Sequence, residues 1–278
     1  MTVGLGTRFW YLLVVRRGEE AMDAEMITDP EPLDVSLAGK VAFVAGGAGA
    51  IGSAIARSLS LRGAKIVIAD VSPQLDEVWK KIENETGFGG QALRVDLTQE
   101  AEIESAFEKT VSEFGQLDIM VHAAGIYHRK PLLELTSDEW DLTQNINMRS
   151  FFLCTKYAVS KMMTTGDGRI IGITSGMGVA GKPRSAAYCA SKAAMIVFAQ
   201  SVALELARTS ITINLIGPGI TDTPLMRNAN TEDEIQASLS RDGRPLGSPE
   251  NVVGPVLYLL SETTKSVTGT TVWMRSPI

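Results

Sequence analysis

The 278-residue chain predicts an α/β protein: a single domain built on one doubly wound parallel sheet of about seven strands, with helices on both faces. Three observations carry that expectation. Short apolar runs alternate with longer amphipathic stretches along most of the chain. The apolar runs are continuous rather than alternating, as strands covered on both faces are. The first of them leads directly into a glycine-rich turn, AGGAGAIG (45–52), ahead of a helical stretch.

Taken in order, KVAFVA (40–45) reads as the first strand and 51–62 as the helix after the glycine turn. AKIVIAD (64–70) is the second strand, 73–86 a polar helix and GQALRVD (90–96) the third strand. A helix over 99–114 puts Ile103, Phe107 and Val111 on one face. LDIMVHAAG (117–125) is the fourth strand with its turn, and one long helix follows over 137–164. GRIIGITS (168–175) is the fifth strand, 185–208 another long helix and ITINLIGPG (211–219) the sixth strand. Residues 222–248, polar with Gly, Pro and Asn, read as a lid. A helix over 249–261 and a strand near 270–274 complete the order, with right-handed crossovers between parallel strands.

Residues 1–36 read as a flexible N-terminal extension and 37–278 as the dinucleotide-binding catalytic domain. The apolar run Phe9–Val15 is seven residues long, against the ~20 of a bilayer span. Most of its charge follows the run, whereas a signal peptide carries charge ahead of it. A partner-binding segment, or an upstream start ahead of Met22 or Met26, fits the same stretch. A net charge of −6 speaks against a nucleic-acid surface. Two cysteines, Cys154 and Cys189, make no disulfide framework and fit a reducing, cytoplasmic setting. Two histidines, His122 and His128, are too few for a metal cluster, so no metal is expected.

The glycine turn lies where a dinucleotide pyrophosphate meets helix N–H groups. Gly47, Gly49 and Gly52 satisfy G-x-G-x-x-G, while Gly46, Ala50 and Gly52 satisfy G-x-x-x-(G/A)-x-G. Asp70 follows Gly52 by 18 residues, at the end of the second strand. Its carboxylate can hold the adenosine ribose hydroxyls and repel a 2′-phosphate. Val71, Ser72, Ala48 and Gly49 supply no cation, so NAD is expected ahead of NADP. Asp96 and Leu97 suit an adenine-edge contact, though a helix cap explains Asp96 nearly as well.

Two Tyr-x-x-x-Lys pairs occur, Tyr157/Lys161 and Tyr188/Lys192. A phenol beside a cation is a general acid/base whose proton becomes transferable near neutral pH. Thirteen residues before Tyr188 is Ser175, at a strand end; thirteen before Tyr157 is Gln144, on the same helix. Only the first pair meets the cofactor rim, and Tyr157 reads as structural.

The glycine turn, Asp70, HAAG (122–125), Asn147 in NINMRSFF, Ser175, YCASK (188–192) and PGITDT (218–223) together resemble the short-chain dehydrogenase/reductase family, in its shorter form. The resemblance spans about 36–272 and implies a Rossmann-like fold. It implies Tyr188 as proton donor or acceptor at the substrate oxygen and Lys192 as the cation that lowers its pKa and holds the nicotinamide ribose. Ser175 then stabilises developing alkoxide, and Asn147 holds a relay water. Cofactor contacts are implied for Gly46, Gly49, Ala50, Ile51, Gly52, Asp70, Asp96, Leu97, Ala123, Ala124, Gly125, Tyr188, Lys192, Pro218, Gly219, Ile220 and Thr223. The family's usual Thr is here Ala45, its Asn-Asn-Ala-Gly is His122-Ala123-Ala124-Gly125, and the usual C-terminal Asp-Gly-Gly is replaced by VWMRSPI (272–278).

The resemblance also implies an NAD(H)-dependent exchange of secondary alcohol and ketone in a homo-oligomer, dimer or tetramer. IYHRKPLLELTSDEWD (126–141) locally resembles gluconate- and deoxygluconate-type dehydrogenases, pointing to a sugar acid or polyol. His128, Arg129 and Lys130 stand near the expected mouth, as substrate attractors or a solvated cluster. The alternatives are a 3-oxoacyl-thioester reductase and a non-catalytic NAD-binding scaffold.

Overall fold

The computed structural model describes residues 35–242 and 245–274. Seven strands form one all-parallel sheet: β1 (Val41–Ala45), β2 (Lys65–Asp70), β3 (Gly90–Arg94), β4 (Ile119–His122), β5 (Asp167–Ile173), β6 (Ser210–Gly217) and β7 (Thr271–Trp273), in the order β3-β2-β1-β4-β5-β6-β7. Helices α1 (Ala50–Ser60), α2 (Leu75–Thr86) and α9 (Val253–Leu260) cover one face. Helices α3 (Glu100–Phe114), α5 (Ser150–Met162) and α6 (Ala186–Glu205) cover the other. Two cores result, and β1 shows why its run is unbroken: Phe43 and Ala45 feed one, Ala42 and Val44 the other. Phe43 stacks on Phe107 of α3 at 4.3 Å between centroids.

Helix ends follow local chemistry. Gly87 and Gly115 stop α2 and α3 in the left-handed region, at φ 70 and 84. By length and apolar composition α6 would also suit a bilayer, but here it is a core helix with Ala187, Tyr188, Ser191, Lys192 and Met195 buried.

Three expectations change. The domain begins before residue 37, because Val35 is buried in the core; the rest of the expected extension, 1–34, lies outside the described residues. The single helix expected over 137–164 is broken into α4 (Ser137–Gln144), a π-turn (Asn145–Arg149) and α5. The wider turn faces Asn147 inward, and periodicity cannot register one inserted residue. Residues 222–248 contain two helices, α7 (Pro224–Ala229) and α8 (Glu232–Asp242). Their start signals were present: Thr223 caps α7 with Pro224 following, and Thr231 and Glu234 exchange capping bonds at 3.3 and 3.0 Å.

Near the altered C-terminus, β7 still pairs with β6, Leu215 opposite Thr271. Trp273 lies where a Cβ on Gly217 would be, 2.3 Å from its ring. Residues 275–278 lie outside the described residues.

The centre of the sheet is packed to contact at Gly172 on β5. A Cβ there would meet Leu215 at 2.6 Å and the Phe151 ring at 2.9 Å. Gly172→Ala is expected to cost about 1–3 kcal/mol of stability through overpacking, measured by urea unfolding.

Candidate active site

The strand order reverses between β1 and β4, and their carboxyl ends open the crevice where such sheets bind ligands. Gly46 turns there at φ 76, and a Cβ on it would stand 2.4 Å from the Ala124 nitrogen. One on Gly52 would stand 2.1 Å from the Gly46 carbonyl oxygen. Only glycine allows α1 to begin this close to the strand. Gly49, the N-cap, brings no side-chain cap, so the first N–H groups of α1 are available to an anion. Asp70 braces the turn, accepting from the Ala48 and Ser72 N–H groups at 3.1 and 2.9 Å, and each oxygen keeps a lone pair for a ribose hydroxyl. A bare helix start and a carboxylate one strand away fit a dinucleotide.

Two details describe the adenosine end. Arg94 pairs in register with Asp70 and donates to the Val71 and Ser72 carbonyls at 3.0 and 3.2 Å. The loop after Asp70 therefore does have a cation beside it, supplied by the next strand rather than the next residue. Asp96 accepts from the Thr98 N–H and hydroxyl at 2.9 and 2.7 Å, an Asx turn ahead of α3, and Leu97 joins the core.

Deeper in the crevice, Ser175 follows β5 by two residues and caps a short 3-10 turn, accepting from Met177 N–H at 3.2 Å. Its hydroxyl acts on the Tyr188 phenol, favouring the phenolate. Lys192 donates to the Ile173 carbonyl at 2.8 Å, with its nitrogen 5.7 Å from the Tyr188 ring centre. At the Tyr188 phenol itself burial is the largest influence. Burial pushes Tyr188 up to about 12, the Ser175 bond opposing it, and burial pulls Lys192 down to about 8.

Asn147, fully buried on the π-turn, holds both backbone groups of Ile126: it accepts from the N–H at 2.8 Å and donates to the carbonyl at 3.0 Å. Its amide also donates to Ser191 at 2.9 Å. The side chain is thus a brace between the β4 loop and α6. Gly125 closes the group, since a Cβ there would lie 3.4 Å from Asn147 Oδ1 and 3.6 Å from Lys192 Nζ. Ala123 donates to the Ala45 carbonyl at 2.8 Å, seating this loop against the glycine turn. Beyond β6, Pro218–Thr223 is held by the returning chain, with Gly247 bonded to Ile220 and Asp222 at 2.8 Å each.

The other candidates are elsewhere or already engaged. Tyr157 donates to Glu100 at 3.1 Å and Lys161 pairs with Glu108, both across to α3. His122, pulled down to about 3 by burial and by Lys192, bonds Ser150 at 2.7 Å. At the mouth, His128 meets Thr143 at 3.1 Å, Lys130 meets Glu139 at 2.5 Å, and Arg129 pairs with Glu234 of α8. Tyr127, absent from the sequence-based set, lies tilted against Tyr188 with 4.6 Å between ring centres. Its only sequence signal is its place after the β4 turn.

A family model described as enoyl-(acyl carrier protein) reductase matches residues 46–275. A 3-oxoacyl-(acyl-carrier-protein) reductase of Salmonella typhimurium is 36% identical over 85% of this chain and 96% of its own. The chain belongs to the short-chain dehydrogenase/reductase family. The cis-4-hydroxycyclohexanecarboxylate dehydrogenase of Sinomonas cyclohexanicum is 34% identical, covering 84% and 94% of the two chains. A variant of the actinorhodin polyketide ketoreductase solved with NADPH superposes with a TM-score of 0.80 at 28% identity, over 85% and 96%. As a short-chain dehydrogenase/reductase the protein is an enzyme, an oxidoreductase of CH–OH groups and ketones with a nicotinamide cofactor and a small-molecule substrate, rather than a bare scaffold.

The buried lysine gives a signed prediction. Lys192 binds its proton more weakly folded than unfolded, so between about pH 8 and 10.5 the unfolded chain holds more protons and stability rises with pH. Tyr188 acts oppositely, and only above pH 10. Buried Cys154, pushed up to about 12, opposes the gain above about pH 9, so calorimetric scans from pH 8 to 9 are expected to show it in the wild type and its loss in Lys192→Met.

Proposed function

We propose that Tyr188 is the general acid/base of a reversible alcohol–ketone interconversion. The observation that carries this reading is the buried Tyr188 beside the strand ends, with the half-buried Ser175 close enough to act on its phenol and Lys192 one helical turn on. The cofactor supplies and accepts the hydride. Ser175 orients the substrate oxygen and donates to it as negative charge develops. Tyr188 transfers the proton to or from that oxygen. Lys192 favours the phenolate by its charge and binds the nicotinamide ribose, while Asn147 keeps the β4 loop and α6 in register. Gly46, Gly49, Ala50, Ile51, Gly52 and the Pro218–Thr223 loop contact the cofactor. Residues 222–248 act as a lid, tied to the β4 loop through Arg129 and Glu234.

For the cofactor we infer NAD ahead of NADP, on the Asp70 carboxylate. Arg94 and the NADPH of the polyketide ketoreductase structure weigh on the other side. For the substrate we infer a sugar acid or polyol. A second reading, reduction of a 3-oxoacyl thioester, is favoured by the Salmonella relative. A cytoplasmic homo-oligomer is inferred from two free cysteines and from exposed apolar side chains on α5 and α6, among them Phe152, Val197 and Leu204.

Three measurements test these inferences. Tyr188→Phe is expected to lower kcat by at least about 100-fold, with cofactor affinity and unfolding midpoint kept; equal turnover would refute the role. Wild-type kinetics with NADH and NADPH on sugar-acid ketones and 3-oxoacyl thioesters decide cofactor and substrate, and a preference for NADPH overturns the Asp70 argument. Val197→Glu with Leu204→Glu is expected to reduce the sedimenting mass of the assembly.

A further inference from the structure

Tyr127 directly follows Ile126, whose N–H and carbonyl are both clamped by the buried Asn147 amide. Its place is therefore as fixed as that of Asn147. The ring lies 4.6 Å from that of Tyr188 at an interplanar angle of 38°, and the residue is half-buried. Its hydroxyl is 2.6 Å from that of Ser185, which precedes α6 and is 1% exposed. Ser185 is set there by a turn in which Arg184 adopts φ 65, a conformation uncommon for non-glycine residues.

The protons in this pair can be counted. Ser185 has one, and both of its bonds form together only when that proton goes to the Pro183 carbonyl, 3.1 Å away, since a carbonyl cannot donate. Tyr127 must then donate its own to Ser185. With both hydrogens committed, the phenol oxygen of Tyr127, whose ring lies against that of Tyr188, has only acceptor capacity left. A substrate hydroxyl satisfies such an atom, whereas a methylene or a carbonyl does not.

We propose that Tyr127 is a specificity-determining residue that accepts a hydrogen bond from a hydroxyl on the carbon next to the reacting one, selecting α-hydroxyketones and vicinal diols. This rests on Tyr188 acting at the reacting oxygen. It separates the two substrate readings, because the carbon between the two carbonyls of a 3-oxoacyl thioester is a methylene.

The test is a matched pair, 2-hydroxycyclohexanone and cyclohexanone, with NADH and with NADPH. The wild type is expected to favour the hydroxyketone by about tenfold in kcat/KM, the worth of one neutral hydrogen bond. Tyr127→Phe keeps the ring and is expected to erase that preference, mainly through KM of the hydroxyketone, leaving cyclohexanone kinetics within twofold. A wild type without the preference overturns the proposal with no variant needed. So does a Tyr127→Phe enzyme that keeps the preference or loses both substrates equally. Turnover of neither ketone by the wild type, with turnover of a 3-oxoacyl thioester, rejects the hydroxyketone assignment and leaves the role of Tyr188 standing. Turnover that survives Tyr188→Phe rejects that role instead.

Discussion

One carboxamide joins the parts of this site. Asn147 binds the N–H and carbonyl of Ile126 and reaches Ser191, so the β4 loop, the π-turn and α6 are fastened at one buried point. Leaving such groups unpaired costs about 1–3 kcal/mol each, which makes the arrangement close to all-or-none. Tyr127 hangs from one end of this brace, and Tyr188 and Lys192 flank Ser191 at the other. The π-turn is the local irregularity that allows it, since regular helix through 145–149 would not face Asn147 inward in this way.

The electrostatics follow from burial. Tyr188 and Lys192 lie in the same dry crevice, and each is pushed toward its neutral form, the phenol up and the amine down. Lys192 is also drawn to the Ile173 carbonyl, and its nitrogen lies 5.7 Å from the Tyr188 ring centre. Ser175 is the group that already opposes burial at the phenol. Proton transfer at Tyr188 is thus set by a contest between desolvation and a few hydrogen bonds.

Much of the frame was legible beforehand because it is repetitive or sterically forced. Seven apolar runs became seven strands, and the glycines at 87 and 115 ended helices at the expected points. The Tyr188/Lys192 pair was separable from Tyr157/Lys161 by distance to a strand end, and the second pair is indeed bonded across to α3. The break in the helix over 137–164 was not legible, since apolar periodicity survives one extra residue. The helices within 222–248 were missed although Thr223-Pro224 and Thr231…Glu234 announce them; their polar composition outweighed their caps.

The sequence by itself determined the order of the elements, the tight turn at Gly46 and Gly52, and the spacing that sets Ser175, Tyr188 and Lys192 along neighbouring elements. These depend on sterics and periods that act over a few residues. Tertiary structure alone decided that Arg94 stands beside the loop after Asp70, that the Tyr127 ring lies against that of Tyr188, and that burial raises the phenol. Those outcomes depend on strand register and on which groups lose water together, and residues far apart in the chain acquire both only when the sheet closes.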